Sequence, residues 1–273
     1  MTTAIGVFDS GFGGLTILKK FWEQMPAYDY IYLGDNARAP YGSRSYETVY
    51  NYTLQAVKKL FSKGCPLVVL ACNTASAKAL RTIQQKDLPY LNPQNRVLGI
   101  IRPTAEEIAK YTKTKKIGIL GTTGTINSNS YPLEIKKLHP EIEVFQQACP
   151  MWAAIVENGD ADFDGTDAFI KRDIEKLLAQ NHQIDTIVMG CTHYPLLEKK
   201  IKKYLPKEIT LVNQNSIVAQ SLNDYLIRHN EIDSILTKNG TTIFYTSENP
   251  ETFNKTAQIF LNRPIKAQQL PIN

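Results

Sequence analysis

The chain has 273 residues, of which 43% are hydrophobic and 21% are charged. This composition is typical of a folded globular protein and excludes a disordered chain. The formal charge is +5, but the lysines are scattered over helical stretches, so solvated helix faces explain the excess better than a nucleic-acid-binding surface. No apolar run is long enough to span a membrane, and the N-terminus lacks the layout of a signal peptide. We therefore expect a cytoplasmic protein without nucleic-acid or membrane partners.

Short apolar runs alternate with helical stretches along the chain. The runs are nearly continuous, as expected for parallel strands that are covered on both faces. They occupy residues 4–8, 30–33, 66–71, 97–101, 116–120 and 185–190. After the first run, Leu15, Leu18 and Trp22 keep the spacing of one helix stripe. The alternation predicts an α/β fold built from doubly wound parallel sheets.

A pattern of strand, small-residue loop and helix occurs twice. The segment IGVFDSGFGG from Ile5 resembles IGILGTTGT from Ile117. The segment VVLACNTASA around Cys72 resembles TIVMGCTHYPL around Cys191. The two repeats have similar offsets, which indicates two related halves, although chance similarity between Rossmann-like units is the alternative. Related halves predict two similar domains, related by pseudo-symmetry, with an active site in the cleft between them.

The cysteine loops divide between the two predicted domains. The first domain is discontinuous and carries Cys72, and the second carries Cys191. Their predicted bounds are residues 1–97 plus 210–273 for the first and 98–209 for the second. The tail holds two further strand patterns with helices after them, starting near residues 209 and 241. We assign the tail to the first domain because this balances the sizes of the two.

Four cysteines occur, and none forms a C-x-x-C pair: Cys65, Cys72, Cys149 and Cys191. A chain of this length does not need disulfides, so we expect free thiols. We interpret Cys65 and Cys149 as packing residues, because cysteine is common in protein cores.

The other two cysteines each follow a strand and precede hydrogen-bonding side chains. Cys72 is followed by Asn73-Thr74, and Cys191 by Thr192-His193. Ligands bind at the carboxyl ends of parallel strands, and helix N-termini favour anions and lower the pKa of a thiol. One such loop is as often a buried structural feature as a site, but two matching loops favour a function.

Two opposed thiols suit the inversion of a carbon centre by proton exchange. One thiolate removes a proton from one face, while the other thiol donates a proton to the opposite face. Donors directed at a neighbouring carboxylate would stabilise the carbanion that forms between these steps. The two cysteine loops therefore predict an acid–base reaction at a carbon next to a carboxylate.

The loop after the first strand, with Asp9 and Ser10, is interpreted either as a site loop or as a helix cap. It does not match a dinucleotide fingerprint, because Thr16 stands where that motif needs glycine, and no P-loop occurs. A zinc site from Cys72, Cys191 and His193 is disfavoured, because no fourth ligand is evident.

With these loops identified, the chain resembles glutamate racemase, in the aspartate/glutamate racemase superfamily. The segments that carry the resemblance are GVFDSGFGGL, YLGDNARAPYG, LACNTASA, IGILGTTGTINSNSY, ACPMWAAIVENG, GCTHYPLL and FYTSENPETFNKTAQIFL. The resemblance implies that Cys72 is the base for D-glutamate and Cys191 the base for L-glutamate. It implies that Asp9, Glu157 and His193 assist the thiols. It implies substrate contacts at Asp9, Ser10, Tyr41, Gly42, Asn73, Thr74, Thr192 and His193.

The resemblance also implies that no metal or pyridoxal phosphate cofactor is needed. It implies L- and D-glutamate as substrates, a homodimer, and a supply of D-glutamate for bacterial peptidoglycan. Two segments depart from the family pattern. Ala153-Ala154 stands where Val-Pro is common, and Arg102-Pro103-Thr104 stands where many members carry a Pro-Gly turn.

Two other functions remain as alternatives. One is a related racemase of aspartate or another carboxylate, against which the sequence Thr192-His193-Tyr194 argues. The other is a non-catalytic carboxylate-binding protein, which would not need two thiols.

Overall fold

Ten strands form two parallel sheets in residues 3–272, the part of the chain that the computed structural model describes. The strands are β1 (Ile5–Asp9), β2 (Tyr30–Gly34), β3 (Leu67–Leu70), β4 (Arg96–Gly99), β5 (Lys116–Gly121), β6 (Glu143–Ala148), β7 (Thr186–Gly190), β8 (Thr210–Val212), β9 (Thr242–Thr246) and β10 (Ala267–Gln269). The first sheet has the order β10-β9-β2-β1-β3-β4, and the second has the order β6-β5-β7-β8.

Helices connect the strands and cover the sheets. They are α1 (Gly14–Gln24), α2 (Tyr46–Ser62), α3 (Asn73–Lys78), α4 (Leu80–Thr82), α5 (Leu88–Leu91), α6 (Ile101–Glu107), α7 (Thr123–Asn127), α8 (Ser130–Leu138), α9 (Trp152–Glu157), α10 (Asp164–Leu178), α11 (Glu198–Tyr204), α12 (Gln214–Arg228), α13 (Asn230–Asp233) and α14 (Pro250–Leu261). Short 3-10 turns lie at Asn36–Arg38, Ile108–Lys110, Asp160–Asp162 and Tyr194–Leu197, and one π turn lies at Ile83–Asp87.

The two sheets share a topology, which confirms the predicted pair of related α/β halves. The order β2-β1-β3-β4 is repeated as β6-β5-β7-β8. Within these sets Ile5 pairs with Leu67, and Ile117 pairs with Thr186. The two cysteines of the repeat follow these paired positions at the same spacing. Their loops therefore occupy equivalent places at the carboxyl edges of the two sheets.

The tail contributes strands to both sheets. The predicted first domain includes residues 210–273, and within this range β8 pairs with β7 of the second sheet, while β9 and β10 join the first sheet. The predicted domain bounds stay a prediction. The boundary after residue 97 also falls inside β4, whose residues pair with β3. We propose that the domains follow the sheets and divide the chain after β4 and after β8.

Two strands are absent from the sequence prediction, for physical reasons. β6 is an edge strand of sequence EVFQQA whose side chains are half-buried or exposed, so it shows no apolar run. β10 has three residues, two of them exposed. By contrast, the predicted helix near residue 249 begins there, because the Asn249 side chain accepts a hydrogen bond from the backbone of Glu251 at 2.8 Å.

A continuous apolar core joins the two halves. One buried cluster contains Val7 and Leu15 from the first half together with Trp152 and Met189 from the second. Helix α1 packs against α12, which follows the last strand of the second sheet. The two halves therefore stabilise each other by shared burial of apolar surface. None of the helices in residues 3–272 combines the length and apolar character that crossing a membrane requires.

Shortening a side chain in this shared core is expected to destabilise the fold. Ile17 on α1 is fully buried, so Ile17→Ala should lower the free energy of unfolding by about 2–5 kcal/mol through lost burial and a residual cavity. Ile227→Ala is the matched control, because Ile227 on α12 is 72% exposed and its removal should change stability by about 0.5 kcal/mol or less. Urea unfolding of both variants tests this, and equal losses would contradict the assignment of α1 to the core.

Candidate active site

Three loops at the carboxyl ends of strands carry most of the predicted site residues. The loop after β1 touches both cysteine loops. Ser10 Oγ lies 3.4 Å from Cys72 Sγ, and Gly13 lies directly against Thr192 and His193. Both Cys72 and Cys191 are buried, as are most of the polar residues beside them. The fold therefore brings the three predicted loops together from both halves.

Cys72 lies directly before a helix, as its N-cap residue. It follows β3 and caps α3, because the backbone N–H of Ala75 donates to Cys72 Sγ at 3.4 Å. Burial and the nearby charge of Asp9 raise the pKa of Cys72 to about 12, although the bonds from Ser10 and Ala75 act in the opposite direction. The sequence predicts a lowered pKa from the helix N-terminus, and that prediction is wrong because burial outweighs the helix. Cys72 is therefore a protonated thiol, which suits a proton donor.

Cys191 has a different set of partners. Its Sγ lies 3.7 Å from His193 Nδ1, and His193 Nε2 lies 2.8 Å from Glu157 Oε1. Burial lowers the pKa of His193, but the hydrogen bonds and charges of Cys191 and Glu157 outweigh burial and raise that pKa well above its usual value. A protonated imidazole donates from both ring nitrogens. It would stabilise a thiolate at Cys191, which suits a proton acceptor.

Asp9 lies between the two thiol environments. Its Oδ2 accepts a hydrogen bond from the backbone of Gly11 at 2.8 Å, while its buried Oδ1 has no partner within residues 3–272. Burial raises the pKa of Asp9 to about 6, and the charge of His193 partly opposes this. The Asp9 carboxylate also accepts a backbone hydrogen bond from Gly14, the first residue of α1. The helix-cap and site-loop interpretations of Asp9 therefore both stay predictions.

The glycine loop after β1 packs against the loop after β7. A Cβ on Gly13 would lie 2.2 Å from Thr192 Oγ1 and 2.6 Å from His193 Nδ1. Thr16 Oγ1 also donates to the backbone carbonyl of Thr192 at 3.1 Å. Only glycine leaves enough room at position 13 for this approach. The contact fixes where His193 stands relative to the first half.

Thr74 joins a group of hydroxyls that the sequence prediction missed. Its Oγ1 lies 2.9 Å from Thr122 Oγ1 and 3.3 Å from Thr125 Oγ1. Thr122 directly follows β5 and caps α7, and Thr125 lies in α7. The internal sequence repeat could have identified Thr122 as a site residue, because aligning Ile5 with Ile117 places Thr122 opposite Ser10. The neighbouring Asn73 is buried as well, and its Oδ1 lies 2.8 Å from the hydroxyl of Tyr131.

Tyr41 and Gly42 occupy different surroundings despite being adjacent. The Tyr41 ring packs on Phe8, and its hydroxyl donates to the buried carboxylate of Asp35, so this side chain belongs to the core. Gly42 faces the second half, where its carbonyl accepts from Gly124 N at 2.7 Å. A substrate contact from this loop would therefore come from the backbone rather than from the Tyr41 hydroxyl. Asp35 was not among the predicted residues, although it lies in the segment YLGDNARAPYG, which carries part of the family resemblance.

The site is closed in this structure. A cleft of about 610 Å³ lies elsewhere, and none of the predicted site residues lines it. Since Cys72 and Cys191 are 6% and 5% exposed, a substrate needs the loops to separate before it reaches them. Within residues 3–272 no group of three His, Cys, Asp or Glu side chains is arranged to hold a metal.

Comparison with known proteins matches the chain to a family. Residues 5–222 match the family model described as Asp/Glu/Hydantoin racemase. The glutamate racemase of Geobacter metallireducens is 38% identical over 259 residues, which cover 94% of this chain and 92% of the relative. The chain belongs to this racemase family. Its relatives are named glutamate racemases, so it is an isomerase rather than a non-catalytic binding protein.

Solved structures support the same assignment. A glutamate racemase isoform of Bacillus anthracis is 35% identical, with a TM-score of 0.89, and the match covers 99% of this chain and 98% of that one. The glutamate racemase of Francisella tularensis, solved with D-glutamate, is 31% identical, with a TM-score of 0.86 and coverage of 100% and 97%. The fold of two related α/β halves is thus that of the family.

The two departures from the family pattern leave the cysteine loops intact. Ala153 and Ala154 lie in α9, which still ends at Glu157 and brings its carboxylate to His193. The segment from Arg102 to Thr104 lies in α6 rather than in a turn.

The raised pKa of Asp9 predicts a pH dependence of stability. Asp9 loses its proton near pH 6 in the folded protein but near 3.8 in the unfolded chain. Between these values the unfolded chain binds fewer protons, so this group's contribution to stability falls as the pH rises. A shift of roughly two pKa units corresponds to about 3 kcal/mol.

Urea unfolding of the wild type and of Asp9→Asn at pH 4 and pH 7 measures this contribution. The stability of the wild type relative to Asp9→Asn should be about 2–3 kcal/mol greater at pH 4 than at pH 7. A stability difference that does not change with pH would show that Asp9 titrates normally.

The Gly13 contact predicts a loss of activity without unfolding. Gly13 has right-handed helical dihedrals, which alanine also adopts, so Gly13→Ala acts through its clash with Thr192 and His193. Displacing a catalytic group by about 1 Å can cost about 10²-fold in rate, and we expect a fall of that order in glutamate racemisation. Gly165→Ala is the control, because its Cβ would meet only the exposed and movable ring of Phe163. Full activity of Gly13→Ala would contradict the close contact.

Proposed function

We propose that this protein interconverts L- and D-glutamate by proton transfer at Cα, with Cys72 and Cys191 as the two acid–base groups and with no metal or pyridoxal phosphate cofactor. The observation that carries the proposal is the pair of buried cysteines at equivalent strand ends of two related halves. The solved complex of the Francisella tularensis relative with D-glutamate supports the choice of substrate.

From L-glutamate the reaction begins at Cys191. The Cys191 thiolate, beside protonated His193, removes the α-proton and becomes a thiol. The Cys72 thiol then donates its proton to the opposite face of Cα and becomes a thiolate. D-glutamate forms, and the proton count is unchanged. Starting from D-glutamate, Cys72 removes the proton and Cys191 supplies it, as microscopic reversibility requires.

The surroundings of each sulfur support its part in this sequence. A Cys72 thiolate would accept hydrogen bonds from Ser10 Oγ and Ala75 N, both 3.4 Å from Sγ. At Cys191 the protonated imidazole of His193 would supply the positive charge, and Glu157 holds the imidazole in place. Charge that develops on the substrate carboxylate needs further hydrogen-bond donors. Thr74 and Thr122 come after the carboxyl ends of β3 and β5, and the two cysteines likewise follow strand ends.

The finer parts of the proposal come from the family resemblance. We propose that the protein acts in the cytoplasm as a homodimer and supplies D-glutamate for peptidoglycan. The roles of Glu157 and His193 as assistants of Cys191, and of Asp9 as an assistant of the thiols, belong to the same proposal. Aspartate racemisation is the second candidate activity, and the substrate test below separates it.

Loss of either cysteine should abolish racemisation. Cys72→Ala and Cys191→Ala should each lower the rate by about 10²–10⁴-fold, the range of acid–base catalysis, because each removes a proton carrier for one face. Cys65→Ala is the matched control, because Cys65 is a buried packing residue of the first half and should leave the rate unchanged.

Circular dichroism on L-glutamate and L-aspartate follows the reaction, and turnover of L-glutamate in D₂O should place deuterium at Cα. If the circular dichroism signal decays with L-aspartate and not with L-glutamate, the substrate is aspartate rather than glutamate. A wild-type rate in either single cysteine variant would eliminate the two-thiol mechanism.

A further inference from the structure

A buried polar cluster lies behind the Cys72 loop and joins three helices from both halves. Asn73 on α3, Tyr131 on α8 and Gln214 on α12 are all buried, with no more than 2% of each residue exposed. The Tyr131 hydroxyl oxygen lies 2.8 Å from Asn73 Oδ1 and 2.9 Å from Gln214 Oε1. The side-chain nitrogens of Asn73 and Gln214 are buried and have no hydrogen-bond partner among residues 3–272.

One hydroxyl hydrogen cannot serve two amide oxygens. Tyr131 carries a single donor, so it donates to one amide, and the other amide must turn its nitrogen toward the hydroxyl. A half-turn of an amide exchanges its oxygen and nitrogen positions without moving the rest of the side chain. The hydrogen bonds therefore run either from Gln214 through Tyr131 to Asn73 or in the reverse direction.

Thr104 decides between the two directions. Its hydroxyl lies 3.3 Å from the backbone carbonyl of Ile100, which accepts only, and 3.5 Å from the amide end of Gln214. We assign the Thr104 hydrogen to Ile100, which is the shorter of the two contacts, and this leaves the Thr104 oxygen as an acceptor for Gln214. A Gln214 nitrogen at this place donates one hydrogen toward Thr104 and the other to Tyr131. Tyr131 then donates to Asn73 Oδ1.

This direction determines which atom Asn73 presents to the ligand side. With Oδ1 held by Tyr131, the Nδ2 group keeps both hydrogens for another acceptor. Asn73 directly follows Cys72, so that acceptor is a carboxylate oxygen of a substrate bound at the cysteine. In the reverse direction Oδ1 would face the carboxylate, and two acceptors would repel each other.

We propose that Tyr131 and Gln214 are positioning residues that hold the Asn73 amide with its nitrogen toward the substrate carboxylate. The inference rests on the proposed racemase function and on the Asn73 contact within it. It extends the site across the two halves, because Asn73 belongs to the first half and Tyr131 to the second.

The primary test is Tyr131→Phe, which removes one oxygen and keeps the ring. Without the hydroxyl Asn73 is free to turn, so KM for L-glutamate should rise about tenfold, as expected when a hydrogen bond to a charged group is weakened, with kcat within about twofold of the wild type. The matched control is Tyr30→Phe, because Tyr30 is equally buried and donates to the backbone carbonyl of Met25 at 2.9 Å. It should lower the melting temperature and leave KM unchanged.

Two substitutions of Gln214 test the direction of the hydrogen bonds. In Gln214→Glu the ionised carboxylate only accepts, so Tyr131 donates to it and Asn73 turns its nitrogen toward Tyr131. KM should then rise as it does in Tyr131→Phe. In Gln214→Leu the Tyr131 hydroxyl loses the partner that orients it but keeps its hydrogen for Asn73, so KM should rise less than in Gln214→Glu.

The outcomes separate this inference from the proposed function. A wild-type protein that does not racemise glutamate overturns both. An active wild type together with an unchanged KM in Tyr131→Phe overturns the positioning role alone. An equal rise of KM in Gln214→Leu and Gln214→Glu overturns the assigned direction, because a loss of packing would then explain both.

Discussion

The chemistry depends on the packing of the glycine loop after β1 against the loop after β7. Gly13 approaches Thr192 and His193 so closely that a Cβ would stand 2.2 Å from the Thr192 hydroxyl. This contact joins the first half, which carries Cys72, to the second half, which carries Cys191. Because each sulfur is held by its own half, their relative position is only as well defined as the contacts between the halves. The shared apolar core provides most of the contact between the two halves. The contact of Gly13 with Thr192 and His193 fixes their relative position at the site.

The scaffold is nearly symmetric, but the electrostatics of the two thiols are not. Cys72 lies near the Asp9 carboxyl and bonds to neutral donors, and burial keeps it protonated. Cys191 lies beside a histidine that Glu157 holds at 2.8 Å. The same backbone position therefore has different hydrogen-bond partners in the two halves. The related halves place the two cysteines at equivalent strand ends, and the residues that differ between the halves surround each sulfur with different charges.

The repeated strand–loop pattern made most of the fold and the two cysteine loops predictable, because buried parallel strands leave continuous apolar runs in the sequence. Other features left no such local trace. The edge strand β6 has too few apolar residues to be recognised as a strand in the sequence. The sheet to which β8 belongs follows from its pairing with β7, which its sequence does not reveal. The Tyr41 hydroxyl turns into the core because Asp35 accepts from it, a contact that the family resemblance does not encode. Tyr131 and Gln214 reach Asn73 from helices far away in the chain, and their contacts arise only from tertiary packing.

The two halves protect their sheet edges differently. Strand β2, with the sequence YIYLG, is buried at every position, and the tail strands β9 and β10 lie outside it in the sheet. Its counterpart β6 has no such neighbour and carries glutamate and glutamines instead. An uncovered apolar edge is a template for pairing between molecules, whereas a polar edge discourages such pairing. The tail strands therefore cover the apolar edge of the first sheet. In the second sheet, the polar sequence of β6 discourages pairing between molecules at the corresponding edge.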